Sequence, residues 1–85
     1  MFKLYFKDGD RLKQLIYECN SIAECFKAIK DADFLDTISY YQRVWCSDRN
    51  TMTVDFGSHY QFFYIEYEGM EYESIEQAFI KEYKE

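Results

Sequence analysis

Apolar and polar residues alternate at the start of the chain. Phe2, Leu4 and Phe6 take every second position, and a period of two places successive side chains on opposite faces of a strand. The pattern is interrupted by a turn signal centred on Gly9 and resumes over residues 12–16. Two antiparallel strands joined by a tight turn are therefore predicted to open the fold.

Two helices are predicted from a different periodicity. Residues 21–24 (Ser-Ile-Ala-Glu) and 74–77 (Ser-Ile-Glu-Gln) have the capping-box spacing, in which a serine and a Glu or Gln three positions later satisfy free amides at a helix start. After each serine, apolar residues recur at intervals of three and four, which is the spacing of one helix face. They are Ile22, Cys25, Phe26 and Ile29 in the first helix and Ile75, Ala78, Phe79 and Tyr83 in the second. Cys25 is thus expected in the core.

The other segments favour strands. β-Branched and aromatic residues are frequent over residues 37–46, 51–56, 59–68 and, briefly, 70–72, with turn residues at 47–50, 57–58 and 68–69. The predicted order is β-β-α-β-β-β-β-α. Because long crossovers between parallel strands are missing, we expect an α+β fold with a mainly antiparallel sheet of about six short strands and two amphipathic helices. A chain of 85 residues is predicted to form a single domain over residues 1–85.

The composition of the chain argues against several classes of protein. No apolar run approaches the ~20 residues that cross a bilayer, and the first residues lack the apolar segment of a secretory signal. Cys19, Cys25 and Cys46 have no paired CxxC spacing, and the three glycines are too far apart for a phosphate-binding loop. We therefore expect a cytoplasmic protein with reduced thiols and with no metal ion, nucleotide or other cofactor.

Catalytic chemistry has few candidate groups. His59 is the single histidine, and Asp55 and Ser58 are polar residues close enough in sequence to orient it. A histidine at a strand start beside a turn usually makes local hydrogen bonds, so no catalytic residue and no enzymatic activity are predicted. A small enzyme or ligand-sequestering protein that uses His59 and the tyrosines is a third functional interpretation, after the two developed below.

The charge is unevenly distributed along the chain. Residues 1–50 carry eight acidic and eight basic side chains, whereas residues 51–85 carry eight acidic and two basic ones, which accounts for the net charge of −6. Five of the acids fall within eleven residues. They are Glu66, Glu68, Glu71, Glu73 and Glu76.

A hairpin in this acidic segment would collect carboxylates on one face. If residues 68–69 form a two-residue loop, Glu66 lies opposite Glu71 and Tyr64 lies opposite Glu73. Glu66, Glu71 and Glu73 are then expected on the outer face beside Tyr64, while the alternate residues face the core. Like charges opposite one another destabilise a sheet, so the arrangement calls for an explanation.

An outer array of carboxylates has two explanations. It can be a solvated face that keeps the protein soluble and discourages association of strand edges. Alternatively, it binds a basic surface, because carboxylates along a strand imitate the phosphates of a nucleic acid and attract a nucleic-acid-binding protein. The net negative charge opposes direct binding of nucleic acid. The predicted partner-binding residues are Glu66, Glu68, Glu71, Glu73, Glu76 and Tyr64.

In its small size, acidity, absence of proline, aromatic content and acidic residues 66–73 (Glu-Tyr-Glu-Gly-Met-Glu-Tyr-Glu), the chain resembles small proteins of phages and mobile elements, including anti-CRISPR inhibitors. The resemblance is compositional and extends over the whole chain. It implies a phage or bacterial protein of the host-cell cytoplasm that inhibits a defence nuclease by occupying its basic site for nucleic acid.

The alternative prediction is a homo-oligomeric structural or assembly protein of phage or bacterial origin. Tyr40, Tyr41 and Trp45 belong to the residue types favoured at protein interfaces. Adjacent tyrosines cannot face the same side of a strand, so one of the two is expected to be exposed or covered by a partner.

Overall fold

The computed structural model describes residues 1–31, 43–55 and 61–83. Its elements, in chain order, are β1 (Phe2–Asp8), β2 (Gln14–Cys19), α1 (Ile22–Lys30), β3 (Arg43–Asp48), β4 (Thr51–Asp55), β5 (Gln61–Tyr67) and α2 (Ile75–Tyr83). The predicted α+β class and both helices are confirmed. Neither helix is long and apolar enough to span a membrane.

The described strands form one antiparallel sheet in the order β2-β1-β5-β4-β3. The central strand β5 pairs with β1, the first strand of the chain, and Leu4 is paired to Ile65. On the other side of β5, Val54 of β4 is paired to Phe63. Because side chains alternate between the faces of a sheet, this register places these four apolar residues on the same face.

Both helices cover that face, and the core lies between helices and sheet. Its buried members come from β1, β4, β5, α1, α2 and the end of β2. They are Phe2, Leu4, Cys19, Ile22, Cys25, Ile29, Met52, Val54, Phe63, Ile65, Tyr67, Ile75 and Ala78. The placement of Cys25 in the core is confirmed, and the opposite face of the sheet carries no described helix.

The sixth predicted strand is wrong. Residues 68–74 form an irregular loop, and Met70, which was expected to face the core, is fully exposed. The physical reason is that β5 is the central strand: β1 occupies one of its hydrogen-bonding edges and β4 occupies the other. A strand following Gly69 therefore has no edge of β5 left to pair with.

The observed limits of the other strands differ from the predicted ones by a few residues. The second strand was predicted over residues 12–16 but runs from Gln14 to Cys19, and Leu12 is 90% exposed outside it. The register of β1 and β2 shifts between Leu4 and Tyr5, an irregularity that period counting does not detect. Residues 37–42 and 56–60, which include Tyr40, Tyr41, His59 and the predicted turn residue Ser58, lie outside the described residues.

The serine bond of each predicted capping box is confirmed, whereas the Glu24 and Gln77 side chains accept from the amide one residue before the serine. In α1 the Glu24 amide donates to Ser21 Oγ at 3.2 Å, and the Glu24 carboxylate accepts from the Asn20 amide at 3.0 Å. In α2 the Gln77 amide donates to Ser74 Oγ at 3.1 Å. The two serine bonds satisfy first-turn amides that have no partner within the helix.

A long-range contact completes the cap of α1. The amides of Ile22 and Ala23 donate to the two carboxylate oxygens of Glu82 at 2.9 and 2.8 Å. Glu82 lies in the last turn of α2, so its negative charge also interacts favourably with the positive end of the α1 dipole. The contact holds the C-terminal end of α2 against the N-terminal end of α1.

We predict that Glu82→Ala lowers the free energy of unfolding by ~1–2 kcal/mol, because two helix amides lose their acceptor and the dipole loses its counter-charge. Urea denaturation followed by circular dichroism measures the change. Glu71→Ala, which removes an exposed loop carboxylate, is the matched control and is expected to change stability by less than about 0.5 kcal/mol. Equal effects of the two substitutions would contradict the capping role.

Candidate interaction surfaces

The loop of residues 68–74 follows the central strand and is tied to the N-terminus. The Glu68 amide donates to the Met1 carbonyl oxygen at 2.9 Å, and the Met1 amino group donates to the Glu68 carbonyl oxygen at 3.0 Å. These bonds extend the β1–β5 pairing by one step beyond the strands. The chain then leaves the plane of the sheet.

Tyr67, the last residue of β5, contacts the loop through its hydroxyl group and its ring. Its hydroxyl oxygen accepts a hydrogen bond from the Tyr72 amide at 2.9 Å, and the two rings pack edge to face with centroids 5.7 Å apart. Gly69 passes directly over the same ring with φ +154°, and a Cβ atom at Gly69 would lie 2.9 Å from the Tyr67 hydroxyl oxygen. Glycine is therefore required for this close approach of backbone to ring.

The turn between β3 and β4 forms hydrogen bonds with the residues at the end of the loop. The Arg49 Nε–H donates to the Glu73 carbonyl oxygen at 2.6 Å, and the Arg49 carbonyl oxygen accepts from the Ile75 amide at 2.9 Å. The neighbouring Asn50 carbonyl oxygen accepts from the Tyr67 amide at 2.8 Å. The loop is thus held by a backbone pairing with Met1 and by side-chain hydrogen bonds of Tyr67 and Arg49.

The braced loop presents an apolar side chain among carboxylates. Met70 has a relative exposure of 101%, and Glu71, Glu73 and Glu76 are also exposed. An open cavity of about 420 Å³ lies between this loop and the Arg49 turn. We call residues 68–76 the acidic loop; its last residues include the first turn of α2.

The structure divides the predicted partner-binding residues into two groups. Glu68, Glu71, Glu73 and Glu76 lie in the acidic loop, whereas Tyr64 and Glu66 lie on β5. The predicted cross-strand pairs of Glu66 with Glu71 and of Tyr64 with Glu73 are wrong. Glu66 is paired instead with Lys3 on β1 and Thr51 on β4, and Tyr64 is paired with Tyr5 and Thr53.

Two of the carboxylates have lysine partners. Lys13 forms an ion pair with Glu66 and also lies over the Tyr5 ring, 4.6 Å from its centroid. Lys3 contacts Glu68 at 3.1 Å, and the hydrogen bond and charge of Glu68 raise the pKa of Lys3. The sequence places both lysines more than 50 residues from their partners, so counting charges along the acidic segment did not find them.

A row of mostly aromatic side chains crosses the sheet face opposite the helices. The row runs from edge to edge through directly paired residues: Trp45, Thr53, Tyr64, Tyr5 and Leu15. Trp45 and Leu15 at the two ends are exposed, and Thr53 in the row is buried. We call these five residues the aromatic row. Among them, the sequence analysis had singled out Trp45 and Tyr64, but not their alignment.

Metal binding has no support in the parts of the chain that the structure describes, since no three His, Cys, Asp or Glu side chains there are grouped closely enough to hold an ion. Comparison of the chain with protein-family models, with curated proteins and with solved structures finds no match in any of the three.

We predict that Gly69→Ala destabilises the protein by ~1–3 kcal/mol, because the new Cβ combines a disfavoured backbone conformation with a contact at 2.9 Å to the Tyr67 hydroxyl. Gly9→Ala is the matched control. Gly9 also has positive φ (+58°), but a Cβ atom there would have no heavy atom within 4 Å, so only the backbone strain applies and a smaller loss is expected.

A double-mutant cycle separates the contact from the backbone strain. Tyr67→Phe removes the hydroxyl oxygen, so Gly69→Ala is expected to cost less in the Tyr67→Phe background than in the wild type. Urea denaturation of the four proteins measures the coupling. Strictly additive losses would show that the ring and the glycine do not constrain each other.

Proposed function

We propose that this protein is a non-enzymatic, protein-binding inhibitor that docks through the acidic loop onto a basic surface of its partner. The proposal depends on one observation. The loop is held by hydrogen bonds at both ends and exposes Met70 fully to solvent, next to exposed carboxylates. A flexible methionine is adaptable at binding surfaces, and its burial on docking would add apolar contact to the electrostatic attraction.

The charges of the acidic loop are unequally available to a partner. Glu68 already contacts Lys3 at 3.1 Å. Among the ion pairs within residues 1–31, 43–55 and 61–83, none involves Glu71, Glu73 or Glu76. We therefore expect basic side chains of a partner to form ion pairs with these three carboxylates first.

The hydrogen bonds that hold the loop also favour binding, because they reduce the conformational entropy lost when a partner docks. Bonds to Met1, Tyr67 and Arg49 hold the loop backbone at Glu68, Tyr72 and Glu73, so docking would order less backbone than it would in a loop without them. A pre-ordered loop loses less conformational entropy on association than a loose one. This supports a docking role over that of a merely solvated segment.

The partner class we propose is a nucleic-acid-binding protein, with a defence nuclease as the example suggested by the resemblance to anti-CRISPR inhibitors. Surfaces that bind nucleic acid are rich in Lys and Arg, and carboxylates presented at fixed positions compete for the same cations as phosphates do. The protein would then act in the host cytoplasm, and inhibition would follow from occupancy without chemistry.

We predict that the double charge reversal Glu71→Lys with Glu73→Lys abolishes capture of a basic partner from a nuclease-treated host lysate, because the two carboxylates facing the partner become repulsive. The bait is the full chain with a tag, and mass spectrometry identifies the captured proteins. Wild-type capture is expected to weaken at high salt, since exposed charges are screened over ~3 Å at 1 M ionic strength.

The matched control is Asp10→Lys with Asp31→Lys. It makes the same change in net charge at two exposed positions outside the acidic loop, so capture should persist. Met70→Ser tests the apolar contact and should weaken capture without changing its dependence on salt. Capture of the same partner by wild type and by the Glu71 and Glu73 double variant would overturn the proposal.

A second candidate function is self-association through the aromatic row, and the observation that favours it is the row itself. Tyr5 and Tyr64 lie at its centre, and Trp45 is 45% exposed at one end. The occupant would be a second copy of the chain, packed face to face about a two-fold axis along the row.

Flanking charges support this orientation. On one side of the row lie Glu18, Lys3, Glu66 and Asp48, and on the other lie Lys7, Asp55 and Arg43. A two-fold axis along the row would place the more acidic side of one copy against the more basic side of the other. Opposite charges across an interface favour that register.

We predict that, if the row is an interface, analytical ultracentrifugation shows a dimer in the micromolar range that Trp45→Thr shifts toward monomer. Tyr17→Thr is the matched control, because Tyr17 is 43% exposed on the opposite edge strand and lies outside the row. A wild-type protein that is monomeric throughout that range would exclude this function.

A further inference from the structure

Two cysteines meet where the edge strand β2 passes into α1. Cys19 is the last residue of β2, and Cys25 lies one turn into α1. Their sulfur atoms are 3.0 Å apart, and both residues belong to the core, with relative exposures of 8% for Cys19 and 0% for Cys25. The capped turn of Ser21 separates them and fixes the start of the helix.

Hydrogen bonds orient the two thiols toward each other. Cys19 Sγ lies 3.1 Å from the Ser21 carbonyl oxygen and donates its single hydrogen there. The Cys25 S–H is then the donor to the Cys19 sulfur. A disulfide has its sulfurs ~2.05 Å apart, so the pair needs to approach by only about 1 Å to bond.

We propose that Cys19 and Cys25 are a redox modification site that forms an intramolecular disulfide on reaction with a small disulfide of the oxidised-glutathione class. The inference is independent of the proposed docking function. It also goes beyond the expectation that all three cysteines are simple reduced thiols, because a buried cysteine that acts only as a small apolar side chain has no need of a second sulfur at 3.0 Å.

The reaction proceeds in two exchange steps. Cys19, the more exposed of the pair on an edge strand, loses its proton and attacks one sulfur of the small disulfide, which forms a mixed disulfide and releases one small thiol. Cys25 then loses its proton and attacks Cys19 Sγ, which releases the second small thiol. The protein gives up two electrons and two protons, and the small disulfide takes them up as two thiols.

The order of attack follows from burial. Burial raises the pKa of Cys25, which makes it a poor first nucleophile toward a reagent in solvent. Once Cys19 carries the mixed disulfide, the adjacent position of Cys25 compensates for its low thiolate fraction. Cys46 is exposed on β3, 21 residues further along the chain, and competes for the reagent as a separate thiol.

The product would link the end of β2 covalently to α1. The same end of α1 is capped by the Glu82 carboxylate of α2, so oxidation would fix the end of α1 that contacts both the edge strand and α2. A short covalent loop restricts the unfolded chain, so the native state and the disulfide are expected to stabilise each other.

The experiment uses the full chain with Cys46→Ser, which removes the exposed thiol. The folded protein is equilibrated with oxidised and reduced glutathione, free thiols are alkylated, and a glutamate-specific protease cuts between the two cysteines after Glu24. We expect the two fragments to remain joined without reductant, with a loss of about 2 Da and no bound glutathione. Two alkylated thiols, or a lasting glutathione adduct, would overturn the proposal.

Two further measurements test the role of the native structure. The equilibrium constant for the internal disulfide should be at least ~10-fold larger in native buffer than in urea, and an equal or smaller constant would overturn the proposal. In the same background, Cys25→Ala should trap glutathione on Cys19, whereas Cys19→Ala should leave the buried Cys25 unmodified. The reverse pattern would refute the proposed order of attack.

Discussion

The pairing of β1 with β5 is the contact on which the rest of the structure depends. It joins the first strand of the chain to the central strand of the sheet in a register of seven residue pairs, from Phe2 with Tyr67 to Asp8 with Gln61. With β4 on its other side, β5 has both backbone edges satisfied, so the segment after it cannot turn back and pair with β5 as a further strand. The acidic loop follows from this constraint. Residues 70–72 have the composition of a strand but no strand edge to pair with, and the loop is held instead by hydrogen bonds to Met1, Tyr67 and Arg49.

The same register decides which charges are compensated. Lys3 on β1 lies beside Glu66 and contacts Glu68, and Lys13 reaches Glu66 across the open face. The two carboxylates nearest the sheet therefore have basic neighbours, whereas the carboxylates further along the loop extend beyond their reach. A segment that looks uniformly acidic in sequence has, in three dimensions, two carboxylates paired with lysines (Glu66 and Glu68) and three that form no ion pair with the described residues (Glu71, Glu73 and Glu76).

The helices are joined to each other as well as to the sheet. Glu82 near the end of α2 accepts from the first two amides of α1, beside the junction that contains Cys19 and Cys25. A charged cap between residues 60 positions apart couples the packing of α2 to the start of α1. The corner of the fold that holds the two thiols is therefore also the place where α2 contacts the start of α1.

Features that depend on local spacing could be predicted from the residues alone. The capping boxes, the apolar faces of both helices, the burial of Cys25 and the α+β class were predicted because each is encoded within a few neighbouring residues. Strand order was not encoded in that way, and the errors followed from it: the absent sixth strand, the wrong partners of Glu66 and Tyr64, and the aromatic row that went unnoticed. Only the tertiary structure decided these, together with the sulfur contact and the Glu82 cap, because pairing between distant segments is selected by how the whole set of apolar faces packs together and not by any one segment's own pattern.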